Sequence, residues 1–169
     1  YLDENFHYDN LSITFARGEI KDPALKTETE AKYREVNEYL ESIRRTKESR
    51  FLYPLFRGVR DVSRRNLIRT VFHDEFVTPC VAGRKLVVIS ETGNVHPCEL
   101  LDRSMGNVRD TNYNLPAILK SDAGVETRNW IRDTKCKCSF ECALAANVVW
   151  NASTYPKLAT SALRNIGRD

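Results

Sequence analysis

No apolar run in this sequence approaches the roughly 18–20 residues that a membrane span needs. The longest candidate, around residues 86–89, has the length of a strand. Residues 1–10 are polar and acidic, so no secretory signal is expected there. The chain opens on Tyr1 and not Met, which fits a processed or partial chain. Charge of one sign is scarce: the net charge is +3, too small by itself to call for nucleic acid. Internal repeats and low-complexity linkers are absent. An even-numbered disulfide framework is missing too, because the cysteines number five. What remains, 41% hydrophobic and 29% charged in 169 residues, is globular composition in a chain long enough to bury a core unaided. A reducing cytoplasm is the expected setting, and there clustered cysteines point to metal or redox chemistry.

Leu11-Ser12-Ile13-Thr14-Phe15 alternates, with β-branched and aromatic residues, and predicts a strand that ends at Arg17-Gly18. Thr27 with Glu30 three residues on predicts a boxed helix start. Ala31, Tyr33, Val36, Tyr39, Leu40 and Ile43 give that helix its apolar stripe. A second helix is predicted over 54–76, with Leu55, Val59, Val62, Leu67, Ile68, Val71 and Phe72 inward; Gly58 and Ser63 weaken its first half. Near Thr78-Pro79 the period changes. Residues 85–90 and 95–97 predict a hairpin around the turn 91–94, where Gly93 supplies the positive φ. Residues 106–108 read as a short extended piece and 115–120 as a short helix. Asp122 is expected to cap a helix over 123–132, with Val125, Trp130 and Ile131 apolar, and residues 143–150 are helical. The tail to Asp169 carries weak signals.

The cysteines fall into two groups. Cys80 is followed by twelve residues, Gly93, four residues and Cys98. A hairpin between them would return the chain to its start and turn both thiolates toward one site. The second group is Cys136-Lys137-Cys138-Ser139-Phe140-Glu141-Cys142. Four soft thiolates select zinc or an iron–sulfur cluster. Structural zinc sites favour short knuckles, and only Cys138-x3-Cys142 has that spacing. Zinc is the alternative; buried free cysteines are the plain reading.

Cys80-x12-Gly93-x4-Cys98 resembles the opening signature of the SPASM and twitch domains, the C-terminal auxiliary-cluster domains of many radical SAM enzymes. Val81-Ala82-Gly83-Arg84, Val95-His96-Pro97-Cys98-Glu99 and Gly106-Asn107-Val108 agree with it, and Cys138-x3-Cys142 resembles the closing C-x3-C. The resemblance implies Cys80, Cys98 and Cys142 as ligands of an auxiliary 4Fe-4S cluster, with Cys138 or Cys136 as the fourth. A full SPASM domain carries more cysteines and a second cluster, so a single-cluster, twitch-like or reduced domain is the better match. The radical-initiating C-x3-C-x2-C is absent, since Ala145 stands where its third cysteine would be. The S-adenosylmethionine and second 4Fe-4S cluster that the resemblance implies therefore belong to a full-length parent, whose N-terminal barrel is the missing partner of this chain.

The expected fold is α+β: over 1–76, a strand plus two helices from a partial α/β barrel, then over 77–169 a small hairpin-and-helix cluster domain. The expected role is auxiliary cluster binding within a radical SAM oxidoreductase, supporting substrate binding or electron transfer on a peptide or small molecule. Alone, the chain is expected to cleave no S-adenosylmethionine. Arg17, at the end of the first strand, is the candidate cofactor-binding residue, beside its reading as a surface or ion-paired arginine. His96 shares a strand face with Cys98 and reads as a half-buried strand histidine, with a hydrogen bond to sulfur or ligation as the functional alternative. His73 and His7 have no identifiable partner. Arg50, Arg57, Arg60, Arg64, Arg65 and Arg69 form a basic stretch that reads as a solvated or docking helix face, with a nucleic-acid adaptor as the rival. Tyr33, Tyr39, Trp130 and Trp150 are expected in the core.

Overall fold

The fold is described from a computed structural model. It describes residues 12–16, 29–43 and 52–166, with the isolated positions 5, 21, 22 and 24. Arg17, Thr27, His7 and Arg50 lie outside these residues, so the expectations placed on them do too.

Helix α1 spans Glu30–Ser42 and α2 spans Tyr53–Phe72. The sheet strands are β1 (Val88–Ile89), β2 (Asn94–His96) and β3 (Gly106–Asn107). Four helical pieces follow: α3 (Leu115–Lys120), α4 (Asp122–Asp133), α5 (Glu141–Trp150) and α6 (Tyr155–Asn165), with a 3-10 turn at Ala152–Thr154 before α6. Helices and a small antiparallel sheet in the order β1-β2-β3 make the protein α+β, as expected. Among the described residues no helix is long and apolar enough to cross a membrane.

The hairpin reading holds, with shorter strands. Val88 faces His96 and Ile89 faces Val95 across an antiparallel pair. Gly93 takes φ +91° in the turn, and its N–H donates to the Ser90 carbonyl at 2.9 Å. Residues 12–16 belong to no strand, against expectation. Their alternation is real in burial, because Ile13 and Phe15 turn inward between exposed neighbours. Phe15 stacks on Tyr33 with centroids 4.9 Å apart and meets Phe72 edge-on. Period-two alternation reports which side chains are buried; a strand also needs a backbone partner, and none pairs here among the described residues.

Helix α1 is capped by Thr29, whose hydroxyl accepts from Lys32 N–H at 3.2 Å, so the helix begins later than a Thr27 cap implies. Helix α2 stops at Phe72, short of residue 76, because Asp74 leaves the helix at φ +54° and Glu75 N–H closes onto the Arg69 carbonyl at 3.0 Å. The cap of α4 is Ser121, one residue before Asp122; its hydroxyl accepts from Gly124 N–H at 3.2 Å. The tail forms α6, a helix the sequence reading missed.

That last helix sets the role of α2. Gly58 is buried because α6 crosses it: a β-carbon there would lie 3.2 Å from Ala162 N and 3.4 Å from the Leu158 carbonyl. Val62 of α2, Val148 of α5 and Leu158 of α6 form one buried cluster, and Tyr33, Leu67, Ile68 and Leu144 form another. Leu55 and Val71, expected inward, are exposed, since α2 has only one covered face. Tyr39 and Trp150 are likewise exposed at 54% each. Trp150 ends α5 with the Lys85 ammonium 4.7 Å from its ring centre, a contact that keeps the indole wet and cation-bound.

Candidate metal centre

The first cysteine sits on a tight turn. After Cys80, Gly83 takes φ +73° and donates its N–H to the Leu86 carbonyl at 2.8 Å and the Pro97 carbonyl at 3.3 Å. A residue three beyond Cys80 is thereby tied to the residue just before Cys98. Cys98 is buried, 6% exposed, against Ala82 and Ile131, with Cys80 and Cys136 packed on the same cluster.

The third cysteine is delivered by a helix end. Lys135 leaves α4 in the left-handed region at φ +49°. Lys135 N–H donates to the Arg132 carbonyl at 3.1 Å and Cys136 N–H to the Ile131 carbonyl at 3.0 Å. This pair of bonds is a Schellman closure, which fixes Cys136 by the geometry of the helix terminus. The next residue, Lys137, reaches back to α2: its ammonium lies 2.6 Å from Asp74 Oδ1 and also contacts the Asp74 carbonyl. The Cys136-Lys137-Cys138 loop is thus held from both sides.

Sulfur electrostatics follow from these placements. The Cys80 thiol is lowered to about 6, first by a hydrogen bond from the Cys136 S–H, then by bonds from the Ala82 N–H and the Asn147 amide and by the Arg84 charge; burial opposes them. Cys136 is pushed up, first by that same bond to Cys80, then by burial and by the charges of Cys80, Cys138 and Cys98. The bond between the two sulfurs thus lowers Cys80 and raises Cys136. Hydrogen bonds to sulfur favour the thiolate, which is the form that ligates iron or zinc.

The structure therefore gathers Cys80, Cys98 and Cys136, and brings Cys138 within electrostatic reach of Cys136. Cys142 is exposed in the first turn of α5, a helix that starts two residues earlier than expected. His96 is half-buried on β2, as expected. Among the described residues, no three His, Cys, Asp or Glu side chains stand together as a group that could hold a metal ion.

Asn147 and Asn151 have a structural role that no motif in the sequence assigns. The buried Asn147 side-chain oxygen accepts from Val81 N–H at 2.8 Å, and Asn151 donates to the Pro79 carbonyl at 3.0 Å. Two amides four residues apart, Asn147 within α5 and Asn151 at its C-cap, therefore clamp the segment around Cys80. In the sequence only that spacing marks them.

The basic stretch is largely spoken for. Glu41 of α1 receives Arg60 at 3.3 Å and Arg64 at 2.8 Å, and Arg69 pairs with Glu75. Arg57 lies over the Tyr53 ring. His73 does have a partner, Glu30, at 2.9 Å, correcting the expectation that it has none.

No curated protein and no solved structure matches the chain significantly. Residues 80–143, which begin at the first cysteine and end just after the last, match the SPASM family model, described as an iron-sulfur cluster-binding domain, and the match supports iron–sulfur binding by this stretch.

Proposed function

We propose that this chain is the auxiliary-cluster portion of a radical SAM oxidoreductase, with a 4Fe-4S cluster held by the cysteines of residues 80–142. The observation that carries the reading is the coincidence of the family match with the convergence of Cys80, Cys98 and Cys136. The donor set fits: all soft sulfur, with backbone and amide N–H groups aimed at Cys80. A bound cluster would supply a one-electron site whose potential depends on burial and N–H···S bonds.

Cys80 and Cys98 are the fixed pair of this proposal. Cys136 and Cys138 complete it, and what supports Cys136 is its hydrogen bond to Cys80. The family pattern offers Cys142 in place of one of them. Residues 1–76 would be the remnant of the barrel and 77–169 the cluster domain, the two sharing a core where α2 packs on α5 and α6. The substrate, a peptide or small molecule, and the S-adenosylmethionine chemistry would lie with the parent's barrel. The engaged state of Arg60, Arg64 and Arg69 counts against the nucleic-acid alternative.

Anaerobic reconstitution with iron and sulfide, followed by metal and sulfide quantification, tests this. The expected result is iron with stoichiometric sulfide, lost in Cys80→Ala and Cys98→Ala and retained in Cys142→Ala. Zinc without sulfide would replace the proposal with a structural zinc module. Loss of iron in Cys142→Ala with retention in Cys136→Ala would return Cys142 to the ligand set. Production of 5′-deoxyadenosine by the isolated chain would overturn its assignment as an auxiliary portion alone.

A further inference from the structure

Beside Cys80 lies a cleft of about 390 Å³, lined by Cys80 itself and by four basic side chains. Its floor and walls are apolar: Phe76, Pro79, Ala82 and the buried Ile131. Around them stand Arg84, Arg128, Arg132 and Lys135, and among the described residues no Asp or Glu lines the cleft. The volume is that of a small-ligand site, and such sites pair an apolar body with a few convergent polar groups.

The cations are held in different ways. Arg128 is built in: one guanidinium nitrogen donates to the Leu119 carbonyl at 2.5 Å, and its stem lies 3.3 Å from where a β-carbon on Gly83 would be. The missing β-carbon of Gly83, the residue whose positive φ shapes the Cys80 turn, thus also leaves room for the arginine stem. Arg84 is close enough to act on the Cys80 sulfur. Arg132 is on the rim, where Asp133 engages its Nε at 2.8 Å, and Lys135 follows at the helix end. A bound anion gains attraction from the basic side chains gathered in this concavity.

We propose that this cleft binds a small organic anion, with its carboxylate or phosphate among Arg84, Arg128 and Arg132 and its apolar part against Phe76, Pro79 and Ile131. The site opens on Cys80, so an occupant would lie against one edge of the cysteine centre. It goes beyond the cluster reading. Concavity favours a small ligand over an acidic protein, which would need a broad surface.

Calorimetric titration of the purified chain tests it, with 4-phenylbutyrate, its uncharged amide and inorganic phosphate as probes. The expected result is saturable binding of 4-phenylbutyrate, with the amide weaker by about tenfold or more, as fits loss of a charge-assisted contact. The double variant Arg84→Gln/Arg132→Gln should weaken the carboxylate by a similar factor, while Arg109→Gln, whose side chain reaches the Glu91 carbonyl away from the cleft, leaves it unchanged. Phosphate binding as tight as the carboxylate would assign the site to phosphate-bearing ligands; weaker phosphate binding would assign it to carboxylates. Equal binding of carboxylate and amide, parent-like binding by the double variant, or no saturable heat from either anion would overturn the proposal. Iron and sulfide measured on the same samples keep the two readings apart: anion binding lost with cluster loading intact concerns the cleft alone.

Discussion

Changing Gly93 to Ala tests whether the hairpin between the first two cysteines depends on one backbone conformation. Gly93 sits at φ +91°, where an L-residue loses about 1–2 kcal/mol. A β-carbon there would also lie 2.7 Å from Asn107 Oδ1. Asn107 has little freedom to yield: its Oδ1 accepts from Arg109 N–H at 2.9 Å, and its amide donates to the Thr92 carbonyl at 3.1 Å and Asn94 Oδ1 at 3.0 Å. Displacing it weakens at least one of these bonds, each worth about 0.5–1.5 kcal/mol net. The total is about 1.5–3.5 kcal/mol. At about 2–4 °C per kcal/mol for a chain of this size, the melting temperature should fall by about 3–14 °C. Thermal unfolding followed by circular dichroism measures it. Repeating the change in an Asn107→Ala background removes the close contact, so the penalty should shrink to the φ cost, about 1–2 kcal/mol. An unchanged melting temperature, or a penalty undiminished in the second background, would refute this account of the turn.

Asn147→Ala leaves the buried Val81 N–H without its acceptor and should destabilise the chain by about 1–3 kcal/mol; because Asn147 also bonds Cys80, reconstituted iron should be released faster to a chelator. Ser121→Ala should cost about 1 kcal/mol in urea unfolding and Asp122→Ala less, since Ser121 is the cap. Glu41→Gln weakens the shared anchor of Arg60 and Arg64 and should cost about 1–3 kcal/mol, with little change in cluster loading. Gly58→Val should lower the melting temperature through an overpacking cost of about 1–3 kcal/mol, because the added methyls meet the α6 backbone.

The sequence by itself determined the local features. Gly93 between two alternating segments named the hairpin, and its turn conformation followed from needing positive φ. Pro54, the apolar spacing after it and the short helix at Leu115–Lys120 were readable because helix starts and periodicity are written in neighbouring residues. The cysteine pattern named the centre for the same reason. Tertiary structure decided what local pattern cannot carry. Residues 12–16 alternate like a strand but pair with none among the described residues, since a strand is completed by a partner elsewhere in the chain. Gly58 looked like a weakness in a helix until α6 crossed it. Asn147 and Asn151 looked ordinary until the fold set them beside Val81 and Pro79. The motif favoured Cys142 as a ligand and left Cys136 and Cys138 as alternatives for the fourth place. The end of α4 seats Cys136 against Cys80, while the start of α5 leaves Cys142 exposed, because each side chain's direction is set by the helix terminus that carries it.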